Sequence, residues 1–170
     1  MVTRQKLDFG DYVSEDDSVK IAIDTKQDLM ELAQDLGREN RRFCRECDRA
    51  YEAGYRLIIL VEERPPAWQL PSEWVNSWTN ERCQQCKYWY ESNYDEWAHI
   101  DPEYNGWEND CDPGSIKSTE CLKYKYRPML GKTLARSITT VQNHHHCEFK
   151  FCDKSETAQI ICDLLGITYY

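Results

Sequence analysis

The chain has 170 residues, 41% hydrophobic and 30% charged, which fits one compact domain, or one domain with a sizeable insertion, and excludes wholesale disorder. A net charge of −9 argues against coating nucleic acid through general electrostatics, while leaving room for an enzyme with a local basic face. The longest apolar run, residues 57–61, is too short to span a bilayer, and MVTRQKLDFGDY carries no apolar signal region, so a cytoplasmic protein without a membrane partner is expected.

In chain order, residues 2–13 and 19–25 read as two strands joined by the acidic turn SEDDS. Val19, Ile21 and Ile23 alternate with Lys20, Ala22 and Asp24, the period of a half-buried strand. Leu29, Leu32, Ala33 and Leu36 then recur at helical spacing, with Gly37 as a stop. A second helix is predicted over 40–53, ending at Gly54, followed by RLIILVE (56–62), short and continuous as a central strand would be.

Pro65, Pro66 and Pro71 break this pattern. Over 68–126, where all six Trp and four Cys fall, no clean periodicity survives. Regular structure returns with Leu130, Leu134, Ile138 and Val141 on one helical face, then a strand CEFKFC. A last helix carries Ala158, Ile161, Leu164 and Leu165 on one side, with Asp153 or Ser155 as N-cap. The expectation is an α/β fold, a mixed central sheet flanked by helices, formed by 1–66 and 127–170, with 67–126 an irregular Cys/Trp/Tyr-rich insertion.

Chemistry concentrates where the first two strands end. Asp24 and Lys26, separated by Thr25, share one face of their strand, and a hairpin brings Asp11 beside them. Carboxylates a few ångströms apart repel unless a cation lies between them, and Mg²⁺ (or Mn²⁺) suits oxygen ligands, with the Thr25 backbone carbonyl as a third. Such a cation neutralises charge on a phosphate and acidifies a bound water, while Lys26 orients that water or stabilises the pentavalent phosphorus. The plainer alternative is a solvated strand end whose Asp residues cap turns or the next helix.

KLDFGDYVSEDDSVKIAIDTKQDLMELAQDL, followed by RFCRECDRAYEAGYRLIILVEE, resembles the nuclease domain of the XPF and Hef type, within the restriction-endonuclease-like PD-(D/E)XK superfamily. That family shows a Gly-Asp strand end, an acidic-Arg-Lys motif, a helix, an Arg-aromatic helix and a hydrophobic strand. LGKTLARSITTVQNHHHCEFKFCDKSETAQIICDLL is similar to the end of small phage and bacterial members, so the resemblance covers residues 2–63 and 129–165. It implies that Asp11 and Asp24 are metal ligands and Lys26 the catalytic lysine, with Glu46 a further ligand or outer carboxylate. It also implies a DNA substrate, branched or single-stranded. Two departures stand out: Thr25 replaces the family's arginine, and the family's earlier strand with its Asp-x-Arg-Glu motif has no counterpart here. A homodimer or a protein partner completing the site is one consequence.

Arg38, Arg41, Arg42, Arg45 and Arg49 form the dense basic cluster of an acidic chain, either a phosphate-contacting face or a solvated helix paired with Glu39, Glu46 and Asp48. Each such pair contributes only about 0.2–0.5 kcal/mol. An odd count of nine Cys without secretion signals argues against a disulfide framework. Cys83 and Cys86 form a CxxC knuckle and, with Cys111 and Cys121, make a candidate structural Zn²⁺ site, His99 and Asp101 being substitutes. Cys44 and Cys47 lie in a predicted helix and Cys47 on its apolar face, so core packing explains them; Cys152 and Cys162 also read as buried. His144, His145 and His146 read as a polar loop.

Two function classes follow. One is a Mg²⁺-dependent endonuclease, favoured by the Asp11–Asp24–Lys26 constellation. The other is a non-catalytic phage or bacterial binding or inhibitor protein on the same fold, docking on a nucleic-acid enzyme and favoured by the absent leading motif. A third puts the zinc-like insertion to work as a contact module.

Overall fold

A computed structural model describes residues 6–84 and 128–168. Its elements in chain order are β1 (Tyr12–Val13), β2 (Ile21–Lys26), α1 (Leu29–Leu36), α2 (Asn40–Glu52), β3 (Arg56–Val61), α3 (Pro71–Ser77), α4 (Glu81–Gln84), α5 (Gly131–His145), β4 (Glu148–Phe151) and α6 (Thr157–Leu164). The strands form one mixed sheet in the order β1-β2-β3-β4. β1 runs antiparallel to β2, whereas β2, β3 and β4 are parallel. The α/β class with a mixed sheet is therefore as expected.

The alternation along β2 sorts the core into two layers. Ala22 joins Leu57, Ile59 and Val61 of β3 under α1, α2 and α5, where Leu29, Leu32, Phe43, Cys47, Leu134 and Val141 pack. Ile23 joins Ile58 and Leu60 on the opposite face, closed by Cys152 and Leu165. With helices over both faces, β3 has no polar side to present, hence its unbroken apolar run.

α1 starts where Asp28 accepts a hydrogen bond from the Glu31 amide at 2.8 Å, and the Glu31 carboxylate accepts one from the Gln27 amide at 2.8 Å. These reciprocal bonds, with Glu63 accepting from the Leu29 amide at 2.9 Å, satisfy amides that a helix start leaves orphaned. Gly54 permits the turn from α2 into β3 at φ +79°.

Several expectations need correction. The first strand is reduced to Tyr12–Val13, because Gly10 turns the backbone to φ +64° and ends extended pairing before it. Its residues 2–5 lie outside the described residues. Of the predicted insertion only residues 67–84 lie within the described residues, and these are less irregular than expected: Pro71 at the start of α3 supplies a preset φ, and Val75 is buried in the main core with Trp74 and Trp78 packed against it. α3 and α5 approach closely, since a Cβ on Gly131 would lie 2.4 Å from the Trp78 carbonyl oxygen. At α6 the N-cap is Glu156, whose side chain caps no helix amide, and Asp153 instead accepts from the amide and hydroxyl of Ser155 at 3.0 and 2.7 Å. Ala158 faces solvent, and Cys162 is half-buried rather than buried. Among the described residues no helix is long and apolar enough to cross a membrane.

Candidate active site

Asp24 and Lys26 sit at the carboxyl end of β2 and point into the layer beneath α1 and α2, where a sheet-helix core would normally demand apolar side chains. They remain only 7% and 8% exposed. The Lys26 Nζ lies 2.8 Å from Asp24 Oδ2 and 2.9 Å from Asp35 Oδ2. Asp35, equally buried on α1, offers its other oxygen to Arg42 Nη2 at 3.2 Å, and Arg42 Nε reaches Glu39 Oε2 at 2.8 Å. The Lys26 ammonium also stands over the Phe43 ring, 5.9 Å from its centroid.

The other half of the site hangs on the corner before β1. A side chain at Gly10 would meet the Ile23 carbonyl at 3.0 Å, so glycine is needed for the close approach as well as for its φ. The Asp11 amide donates to that carbonyl at 2.7 Å, and the Asp11 Oδ2 accepts from the Thr25 amide at 2.8 Å and the Thr25 hydroxyl at 2.7 Å. From α2, Glu46 Oε1 accepts the Gly10 amide at 3.0 Å. The carbonyl of Lys26 accepts from the Glu62 amide on the β3 side. Strand alternation therefore turns the Thr25 carbonyl to the other edge, toward β1, as the Ile23 carbonyl is turned.

Burial pushes the Asp24 carboxyl up to about 6; Lys26 pulls the other way, while the charges of Asp11 and Glu46 add to the rise. Burial also works against the Lys26 ammonium, but Asp24 and Asp35 outweigh it and hold its pKa above the ordinary lysine value. Asp24 thus feels the charges of Asp11 and Glu46, and relieving that repulsion is what a cation in that corner would do.

Among the described residues no group of three His, Cys, Asp or Glu side chains is placed to hold a metal ion by itself. Mg²⁺ does not require such a cage: one or two carboxylates, with water and substrate oxygens completing the octahedron, are its usual protein ligands. The oxygen donors that this corner offers to that mode are Asp24, Asp11 and the Thr25 carbonyl.

The five arginines divide. Arg42 is committed to Asp35 and Glu39, and Arg49 to the Asp8 carbonyl at 2.9 and 3.1 Å. Glu46 is bonded to Gly10, and Asp48 to His145 Nδ1 at 2.7 Å, so two of the acids expected to pair the arginines are engaged elsewhere. Arg38, Arg41 and Arg45 are exposed; Arg41 and Arg45, four apart, share one face of α2, and Arg38 lies in the turn that precedes it.

Cys83 is buried; Cys86, Cys111 and Cys121, with His99 and Asp101, lie outside the described residues. Cys47 is core, its thiol pushed up by a hydrogen bond with Cys147 and by burial, which makes it inert. The three histidines are not a polar loop: His144 and His145 end α5, and His146 closes it at φ 55° with its ring stacked 4.0 Å from that of Tyr51.

Asp35 escaped the sequence reading. Its signal was a carboxylate between Ala33 and Leu36 on the apolar side of α1, one turn after Leu32. A cleft of about 520 Å³ lined by Leu60, Arg64, Pro65, Phe149, Phe151 and Ile160 lacks the carboxylates, so the acidic corner is chosen on chemistry rather than concavity. Comparison with protein-family models, with curated proteins and with solved structures finds no match to this chain.

Proposed function

We propose that this chain is a metal-dependent phosphodiesterase, an endonuclease acting on DNA, built on a restriction-endonuclease-like version of its mixed sheet. The observation that carries this reading is the burial of a lysine and a carboxylate together at the end of β2, beside two further carboxylates from β1's corner and α2. A fold gains little from placing such charges in its core, whereas a phosphoryl-transfer site needs them.

Asp24 and Asp11, with the Thr25 carbonyl, would hold Mg²⁺ or Mn²⁺. When bound, the ion supplies charge neutralisation at the phosphate and an acidified water. Lys26 keeps its proton through the neutral range and presents a fixed positive charge to a phosphorane. Glu46 holds the Gly10 amide and so fixes the corner that carries Asp11. Of the five clustered arginines, Arg38, Arg41 and Arg45 are the ones left to meet a DNA backbone.

The second reading, a non-catalytic binding protein on the same fold, is favoured by one observation: Lys26 is already engaged by two carboxylates. Labelled flap, fork and plasmid DNA incubated with the protein and Mg²⁺ or Mn²⁺, then with EDTA, separates the two. Cleavage that EDTA abolishes is expected. Intact DNA under every metal condition, with the protein folded, leaves the binding reading.

A further inference from the structure

Asp24 cannot serve Lys26 and a cation equally. Its Oδ2 lies 2.8 Å from the Lys26 ammonium, and a divalent ion arriving at that carboxylate places like charge against the lysine. An ammonium stripped of its carboxylate partner in so buried a place faces a heavy desolvation cost. The fold supplies an alternative partner at Asp35 Oδ2, 2.9 Å from the same nitrogen. Arg42 on the other Asp35 oxygen, itself held by Glu39, fixes that carboxylate from the α2 side.

We propose that Asp35 is a positioning residue: it holds the Lys26 ammonium in place when Asp24 changes from ion-pair partner to cation ligand. This rests on the metal-dependent reading of the site, and assigns a role to a residue outside the Asp11–Asp24–Lys26 constellation. Asp35 touches neither the cation nor the substrate. It acts by keeping the cost of cation entry low and the lysine aimed at the same point throughout.

The test is Mn²⁺ binding to the full chain, by calorimetry or by electron paramagnetic resonance of free Mn²⁺. Wild type is expected to bind, Asp35→Asn to bind about 10-fold or more weakly, and Asp35→Glu to recover part of that loss. Loss of a negative charge alone would also weaken cation binding, so the same pair is compared in a Lys26→Met background. There Asp35→Asn is expected to lose several-fold less affinity than it does with Lys26 present, since only the charge effect remains once the lysine it serves is gone. Should Lys26→Met fail to fold, the Lys26 ammonium resonance of ¹⁵N-lysine-labelled protein replaces it. That signal is expected to persist through Mn²⁺-free and Mg²⁺-saturated wild type, and to vanish on adding Mg²⁺ to Asp35→Asn. Wild type that binds no Mn²⁺ overturns the metal-dependent reading and this role with it. Wild type that binds while Asp35→Asn binds equally well, or loses affinity equally with and without Lys26, overturns the role of Asp35 alone.

Discussion

The Lys26 ammonium and the Asp35 carboxylate meet at 2.9 Å between β2 and the last turn of α1, with Asp24 on the lysine's other side. A single positive charge thus compensates two carboxylates, with Arg42 assisting from the surface. Removing it leaves both acids buried without that partner. Lys26→Ala is expected to lower the unfolding free energy by about 3–5 kcal/mol, measured by urea denaturation at neutral pH. Replacing Asp24, Lys26 and Asp35 together by Leu, Met and Leu is expected to cost far less, because no uncompensated charge remains. Equal losses in the two variants would mean that the lysine acts through packing rather than charge.

Asp24 sets a pH dependence of its own. Its folded pKa, about 6, lies above the ordinary 3.8. Between those values the folded chain keeps a proton that the unfolded chain has released, so stability falls as pH rises through that window. The contribution is on the order of 1 kcal/mol per pH unit and levels off above the folded pKa. Urea unfolding of wild type and Asp24→Asn at a series of pH values from 4 to 7 is expected to show wild type losing stability relative to the variant. A parallel pair of curves would place the Asp24 titration elsewhere.

Much of this was legible in the chain itself. β2, α1, α2 and β3 follow from alternation, helical spacing and glycine stops, because each presents a coherent apolar side to one core. Asp24 and Lys26 were readable as strand-end charges two residues apart and Asp11 as their hairpin neighbour, although Asp11 stands before β1 rather than at its end. Asp35 was not, since a lone acid on an apolar helix face acquires meaning only when a strand from elsewhere places Lys26 opposite it. α3 escaped because its Trp and Val are too few to set a period, and what orders it is tertiary contact with α5. The shortened β1 turned on the backbone of Gly10, which no side-chain pattern announces.

That contact rests on Gly131. An added methyl group would stand 2.4 Å from the Trp78 carbonyl and 2.5 Å from that of Val75, both backbone atoms that cannot swing aside. Gly131→Ala is expected to destabilise the chain by about 1–3 kcal/mol or more, despite alanine's better helix propensity, as read by thermal unfolding. A stabilised variant would show that α3 and α5 are further apart than described.

Arg38, Arg41 and Arg45 are predicted to meet phosphate rather than protein. Replacing all three with Gln is expected to weaken DNA binding uniformly across sequences and to reduce the slope of log affinity against log salt by about 2–3. Fluorescence anisotropy over a salt series, in Ca²⁺ or EDTA to prevent turnover, reads both quantities. An unchanged slope would move the DNA-binding face off α2.

The most direct measurement of the central claim is the initial rate of DNA cleavage against Mg²⁺ concentration, taken side by side for wild type, Asp24→Asn and Lys26→Met. Folding of each is checked first by circular dichroism. Wild type is expected to show a saturable, Mg²⁺-dependent rate that EDTA abolishes. Asp24→Asn is expected to lose at least about 100-fold, through weakened metal binding, and Lys26→Met a similar factor at saturating metal. Wild-type rates indistinguishable from those of both folded variants, or cleavage indifferent to Mg²⁺ and EDTA, would contradict the assignment of Asp24 and Lys26 as a metal-dependent phosphodiesterase site.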